Sequence, residues 1–207
     1  MIITNIVKGK KDNNLVFVDG NYTFSADSET IFKNKLSVGC NIDLDLINKI
    51  KFEVNKHKSK EKAFRLLSYR NHSRKELVDK IKRKYDENSA NIAVDKMEKL
   101  GLIDDRKFAL EYALSLFKKF FSVKRVKFEL SKKGIDKDTI LEIIDEISPN
   151  EKEQILCLLS KKYSEKMDNE ENIKKISLSL QNSGYSFTDI NSAILAYKED
   201  MGKDDFN

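Results

Sequence analysis

Hydrophobic positions change their spacing once along this chain. Between Met1 and about Val54, Ile3, Ile6, Leu15, Phe17, Tyr22 and Phe24 fall in short alternating runs broken by Gly9, Asn13-Asn14 and Asp19-Gly20, the period-two pattern of strands joined by tight turns. Asp19-Gly20 lies between Leu15-Val16-Phe17-Val18 and Asn21-Tyr22-Thr23-Phe24 and predicts a two-residue hairpin turn. The segment reads as a small β-hairpin or meander, followed by a short helix near 28–35 and a second helix that opens at Leu44 after Asp43.

Beyond Lys56 the period is helical almost without interruption. Ala63, Leu66, Leu67 and Arg70 share a first helix, and Ser73-Arg74-Lys75-Glu76 is a capping box that opens a second, with Leu77, Ile81 and Tyr85 on one face. A third helix carries Ala93, Met97 and Leu100 and stops at Gly101. Asp104 caps a helix bearing Phe108, Tyr112, Leu116 and Phe117, and Ser122 caps one bearing Val126 and Leu130 that ends at Gly134. The next carries Ile140, Ile144 and Ile147 up to the break at Ser148-Pro149. The last set has Ile155, Leu158 and Leu159, then Ile173, Ile176 and Leu180 ending at Gly184, then Ile190, Ile194 and Tyr197.

The three sets superimpose: Leu77, Val126 and Ile176 correspond, as do Ile81, Leu130 and Leu180, at offsets of about 50 residues, the spacing of repeat architectures. The expected fold is mainly α, with tandem three-helix repeats in an elongated body behind a small N-terminal β-hairpin extension. Its divisions are 1–54 for the extension, 55–104, 105–149 and 150–200 for the repeats, and 201–207 for a tail. Seven glycines and one proline in 207 residues agree with helices and exclude a many-stranded barrel or sandwich, which needs frequent turn residues.

Candidate chemistry is sparse. There is no G-x-S-x-G, phosphate-loop or H-E-x-x-H motif, and Asp104-Asp105 fits a helix start better than an acid/base pair. Cys40 and Cys157 lack partner spacing and read as small buried hydrophobes, while His57 and His72 lack the i, i+4 pairing of a helical metal site. Neither an enzyme nor a cofactor or metal protein is expected. The start MIITNIVKGKKDNN resembles no targeting peptide, and no apolar run is long enough for a membrane span, so a cytoplasmic protein is expected.

Charge distribution adds more than the net charge of +5. Between Lys56 and Lys84 twelve cations face three anions, and between Lys118 and Lys133 seven cations face only Glu129; residues 136–153 hold seven acids and two lysines. Such clustering is either a polyanion site or a set of solvated helix faces. At about 100° per residue, Lys124, Arg125, Phe128 and Lys132 lie opposite Val123, Val126 and Leu130, and Lys75, Lys82 and Arg83 point outward from the preceding repeat. Phe128 either anchors a partner, stacks on a base or packs against an adjacent unit, the last being the simplest expectation. With Arg70, Arg74 and Lys133, these residues form the candidate partner- and DNA-binding set.

At this point the chain resembles a known family. Ala63-x-x-Leu66-Leu67-x-x-Arg70-x-x-Ser73-Arg74-x-Glu76-Leu77 is similar to the opening repeat of the RecX family of RecA regulators. Leu100-Gly101-Leu102-Ile103-Asp104-Asp105-x-x-Phe108-Ala109 is similar to its repeat junction, and Arg125-Val126-x-x-Glu129-Leu130-x-x-Lys133-Gly134-Ile135 to its second middle helix. Two departures stand out: Phe120-Phe121-Ser122-Val123 where the family's second middle helix usually starts with a glycine, and Tyr85 where a glycine usually ends the first. The resemblance implies a protein that lodges in the groove of a RecA recombinase filament on single-stranded DNA; a monomer is expected. It also implies inhibition of ATPase and strand exchange, by blocking growth or promoting disassembly, with weaker direct DNA binding. A free-standing helical-repeat nucleic-acid-binding module is the alternative from another class, and a structural adaptor without polyanion dependence is a third.

Overall fold

The structure is a computed structural model that describes residues 1–9, 13–167 and 169–204, with the side chains at 165 and 200–204 left aside. The chain forms two compact units, one ending at Ile103 and the other beginning at Asp104.

The first unit opens with an antiparallel sheet ordered β1 (Ile3–Lys8), β2 (Asn14–Val18), β3 (Asn21–Ala26), a three-stranded meander. Asp19 and Gly20, both at positive φ, make the turn that pairs Val18 with Asn21. The buried face differs from the one that the alternation of Leu15, Phe17 and Tyr22 suggests. Val16, Val18, Phe24 and Ala26 are buried, whereas Leu15 and Phe17 are half-buried and Tyr22 is exposed. Leu15-Val16-Phe17-Val18 is apolar on both faces, so period two cannot tell which side is inward, and the register irregularity between Val16 and Phe17 changes the phase along the strand.

Helix α1 (Ser28–Lys33) is capped by Asp27, and α2 (Leu44–Tyr69) by Asp43. The 26 residues of α2 contain no glycine or proline to stop them, so one helix runs where the sequence suggests two, passing through 54 and 55 without a break. Its first half gives Ile47, Ile50 and Val54 to the core beneath the sheet; its second gives Ala63, Leu66 and Leu67 to a separate core. That second core is completed by α3 (Arg74–Lys82) and α4 (Glu87–Lys99) through Leu77, Ile81, Ala90, Val94 and Met97. Leu100, expected inside, is exposed because α4 ends at Lys99 and Leu100 is already the cap. Tyr85 lies beyond α3, half-buried against this core, and is not among the residues at positive φ, so the position needs no glycine.

The second unit holds two further helix triplets. In the first, α5 (Asp105–Phe117), α6 (Val123–Lys132) and α7 (Lys137–Ile147) surround Phe108, Leu116, Val126, Leu130, Ile140 and Ile143. In the second, α8 (Glu151–Leu158), α9 (Glu170–Asn182) and α10 (Phe187–Asp204) surround Ile155, Leu159, Ile176, Leu180, Tyr185 and Ile190. A widened helical turn at Leu159–Tyr163 and a tight one at Ser164–Lys166 follow α8. The position of α10 places 201–204 in that helix, and 205–207 of the expected tail lie outside the described residues. Cys40 and Cys157 are half-buried rather than buried. Cys40 sits in a surface turn with Sγ 2.9 Å from the Ser37 hydroxyl, and Cys157 lies two residues from the inward Ile155, nearly opposite it on α8.

The two triplets of this unit are tied at the start of α6. Ser122 N donates to the Ser183 carbonyl at 3.0 Å, Val123 N to Glu151 Oε1 at 2.7 Å, and Gln154 Nε2 to the Phe117 carbonyl at 3.3 Å. The Tyr185 hydroxyl donates to Gln154 Oε1 at 3.0 Å. Burial, and secondarily the Glu151 carboxylate, push that hydroxyl's pKa well above the ordinary range. These bonds use helix-end groups that α5 and α6 leave without intrahelical partners, and they fix how α6 is presented.

Phe120 lies just past α5 at φ 58°, with Phe121 N bonded to the Leu116 carbonyl at 3.2 Å, the left-handed helix stop that glycine makes without strain. Phe120→Gly is therefore expected to be more stable than Phe120→Ala by about 1 kcal/mol, the reverse of their order inside a helix. Both variants lose the ring, so urea unfolding of the pair isolates the backbone effect, and an Ala variant at least as stable as the Gly one would contradict it.

Candidate functional site

On α6, Val126 and Leu130 are fully buried, and Lys124, Phe128 and Lys132 are exposed, one helix face against the other. Arg125 reaches Glu129 at 2.8 Å, and its guanidinium lies 5.9 Å from the Phe121 ring centre and 5.7 Å from that of Phe128. Lys132 Nζ stands 5.4 Å from the Phe128 ring centre and 3.8 Å from Glu129. Phe128 remains 54% exposed, contrary to the simplest expectation that it packs against a neighbouring unit; its contacts are cations of its own helix. Each cation over a ring is worth about 0.5–1 kcal/mol at an exposed site, enough to hold the rim in place. Lys133 leaves this face: its Nζ lies 5.5 Å from the Tyr112 ring centre. The result is an apolar disc with a positive rim, able to accept an apolar side chain or a base flanked by negative charge.

The α3 region uses its cations differently. Arg70 caps α2 and grips Glu76 with two nitrogens, at 2.9 and 3.1 Å. Arg74 bridges to α4, pairing with Asp95 and with Glu98 at 3.3 Å, and Lys82 meets Glu87 at 2.7 Å. Lys75 and Arg83 are exposed and carry no ion pair among the described residues. Arg70, Arg74 and Lys82 thus hold helices together, and Lys75 and Arg83 point free charge outward.

His72 supports this region from within. It is buried, its Nδ1 lies 2.9 Å from the Arg70 carbonyl, and Lys80 Nζ lies 3.0 Å from its Nε2. An ammonium can only donate, so Nε2 accepts and Nδ1 carries the proton. Burial, chiefly, holds its pKa below the ordinary value of 6.5. The unfolded chain then takes up the proton first as pH falls. The stability associated with neutral His72 is complete above about pH 6.5 and declines below it, down to the lowered folded-state pKa. The urea midpoint is expected to drop between pH 7 and pH 5.5, with a flatter slope in His72→Gln; equal slopes would contradict the assignment.

Comparison with known proteins places these faces in a family. A family model for the N-terminal domain of the regulatory protein RecX matches residues 1–43, and one for the first three-helix domain of RecX matches residues 60–97. The regulatory protein RecX of Caldanaerobacter subterraneus subsp. tengcongensis is 31% identical over 94% of this chain and 98% of its own. This chain belongs to the RecX family. The Bacillus subtilis regulatory protein RecX is 32% identical over 96% of this chain and 78% of its own. A crystal structure of a regulatory protein RecX aligns with a TM-score of 0.59 over 94% of this chain at 20% identity, which supports the fold. That of RecX from Lactobacillus salivarius aligns at 0.54 over 70% of this chain with 27% identity. RecX is a family of regulatory proteins, and a regulatory role follows for this member.

The sequence alone does not single out two exposed features of this RecX-family chain. Tyr69, at the end of α2 beside Arg70, is 79% exposed. Leu178 on α9 is 60% exposed and stands fifty residues after Phe128, behind Lys174-Lys175 as Phe128 stands behind Lys124-Arg125. The repeat offset carries that second signal. Among the described residues, no helix is long and apolar enough to cross a membrane, and no cluster of three or more His, Cys, Asp or Glu could hold a metal ion.

Proposed function

We propose that this RecX-family chain is a cytoplasmic, monomeric regulator that binds the RecA recombinase filament on single-stranded DNA. It inhibits ATPase and strand exchange by blocking filament growth or promoting disassembly, and it acts by binding, without catalysis of its own. The observation that carries this reading is Phe128, exposed on α6 and rimmed by Arg125 and Lys132, in a chain of this family. Lys75, Arg83 and Lys124 add exposed charge that no internal ion pair consumes among the described residues. A protein wall with acidic side chains suits the exposed cations of each unit, and an apolar pocket suits Phe128, better than a bare phosphate backbone does. Of the acids among these cations, Glu76 and Glu129 are held by Arg70 and Arg125, whereas Asp79 is exposed, repels phosphates and leaves a protein partner's basic groups something to meet.

Salt dependence tests this. Binding to bare single strands should weaken with a log–log slope of about −0.7 per phosphate neutralised. Binding to RecA-coated strands should be much tighter and persist to higher salt, since buried apolar contacts are unscreened. Equal affinities for bare and coated strands throughout a salt titration would favour a free-standing nucleic-acid module.

A further inference from the structure

A groove of about 890 Å³ lies within the first unit, between β3, α2 and the residues after α3. It is remote in sequence from the α6 face and independent of the function proposed above. Three lysines line it, Lys51, Lys58 and Lys84, and the carboxylates of Asp27 and Glu61 share its wall. Asp27 is already engaged as the cap of α1, accepting from Thr30 N at 2.7 Å. Lys58 is half-buried and, among the described residues, donates to the neutral acceptors Asn13 Oδ1 at 3.1 Å and Ser25 Oγ at 3.4 Å. No ion pair to Lys58 occurs among the described residues. Burial, chiefly, holds its ammonium below the ordinary pKa; Asp27 and Glu61 work against this, and Lys84 adds to it. Three lysines therefore face one groove against two carboxylates, and Lys58 among them is partly desolvated, an arrangement that an anion beside Lys58 and Lys84 relieves.

The groove also offers rings. Tyr22 is 58% exposed, and Phe17 braces its ring edge-on at 6.0 Å. Tyr85 is half-buried, with Lys84 Nζ 5.7 Å from its ring centre. Cations beside two tyrosine rings match a ligand that carries a negative group and a flat ring joined by a short spacer, since aromatic faces stack on any base and ammonium groups hold phosphate as point charges.

We propose that this groove is a nucleotide site in which Lys58 and Lys84 hold a phosphate and Tyr22 and Tyr85 flank the base. The nucleotide is either free or one link of a single strand. The amide spectrum of the isotope-labelled full chain tests this without any substitution, by titration in parallel with a ten-residue oligo(dT), ATP, inorganic phosphate and a poly-glutamate peptide. Saturable shifts at Tyr22, Ser25, Lys58, Lys84 and Tyr85 are expected with a nucleotide probe. Shifts from oligo(dT) alone assign the site to single strands, and shifts from ATP assign it to free nucleotide. Lys58→Met with Lys84→Met should weaken that binding at least tenfold, and Tyr22→Ala several-fold, with unchanged circular dichroism. Groove shifts from poly-glutamate but neither nucleotide, from inorganic phosphate alone, or from no probe would overturn the assignment. So would full binding by a folded double variant. The α6 face is untouched by these substitutions, so failure here leaves inhibition of RecA intact, and failure of the RecA reading leaves the groove titration intact.

Discussion

Gly184→Ala is expected to destabilise the chain by about 3 kcal/mol. Two effects add. Gly184 has φ 99°, where an L residue is strained by about 1–2 kcal/mol, and a Cβ there would stand 2.3 Å from Ser122 Oγ and 2.8 Å from Arg125 Cβ. Ser122 cannot withdraw, because its hydroxyl caps α6 by accepting from Arg125 N and its backbone N–H holds the Ser183 carbonyl. Relief must come from moving backbone, an overpacking penalty of about 1–3 kcal/mol. Gly101→Ala separates the two effects: a Cβ there meets nothing within 4 Å, so only the backbone part remains, about 1 kcal/mol. Urea unfolding of the two variants measures the difference. Equal losses would mean that the joint between the last two triplets yields freely and does not fix the presentation of α6.

The helical part of this molecule is legible in the sequence because each helix has a local stop or start. Ser73, Asp104 and Ser122 cap the helices where their spacing predicts, and the fifty-residue offsets mark the repetition of the middle helices. Legibility fails where the deciding physics is not local. Leu15-Val16-Phe17-Val18 is apolar on both faces, so only packing against α2 selects Val16 and Val18 as the inner pair. Nothing in residues 44–69 interrupts a helix, and nothing in their spacing tells that one helix will serve two cores. Phe120 takes a glycine's conformation with no local signal, held there by the chain on either side. Among the candidate site residues, helical phase correctly turns Lys75, Lys124, Phe128 and Lys132 outward. It cannot see that Arg74 is engaged by Asp95 and Glu98, more than twenty residues away. The groove beside Lys58 is invisible for the same reason, since its wall combines β3, α2 and the turn after α3.

That distinction between free and engaged cations sets the expected outcome of charge reversal. Lys75, Arg83, Lys124 and Lys132 replaced together by glutamate should weaken binding to RecA-coated single strands by about 100-fold. Each exposed charge contributes on the order of 0.7 kcal/mol to a complementary surface, and about 1.4 kcal/mol is a factor of ten. Folding should change little, within about 0.5 kcal/mol each at Lys75, Arg83 and Lys124 and about 1 kcal/mol at Lys132, which also gives up the Phe128 ring. The reason lies in the pairing: Lys75, Arg83 and Lys124 give up no ion pair among the described residues, and the 3.8 Å contact from Lys132 leaves Glu129 with Arg125 at 2.8 Å. Arg74→Glu behaves in the opposite way, placing a third carboxylate against Asp95 and Glu98 and lowering stability by about 1–2 kcal/mol, so any loss of binding there is shared with loss of fold. Phe128→Ala completes the set, since it removes the apolar disc while Lys124 and Lys132 keep their charge. It should reduce affinity for coated strands at high salt, where the charges are screened, more than affinity for bare strands. A folded four-site variant that still inhibits strand exchange at wild-type concentrations would remove these faces from the RecA contact.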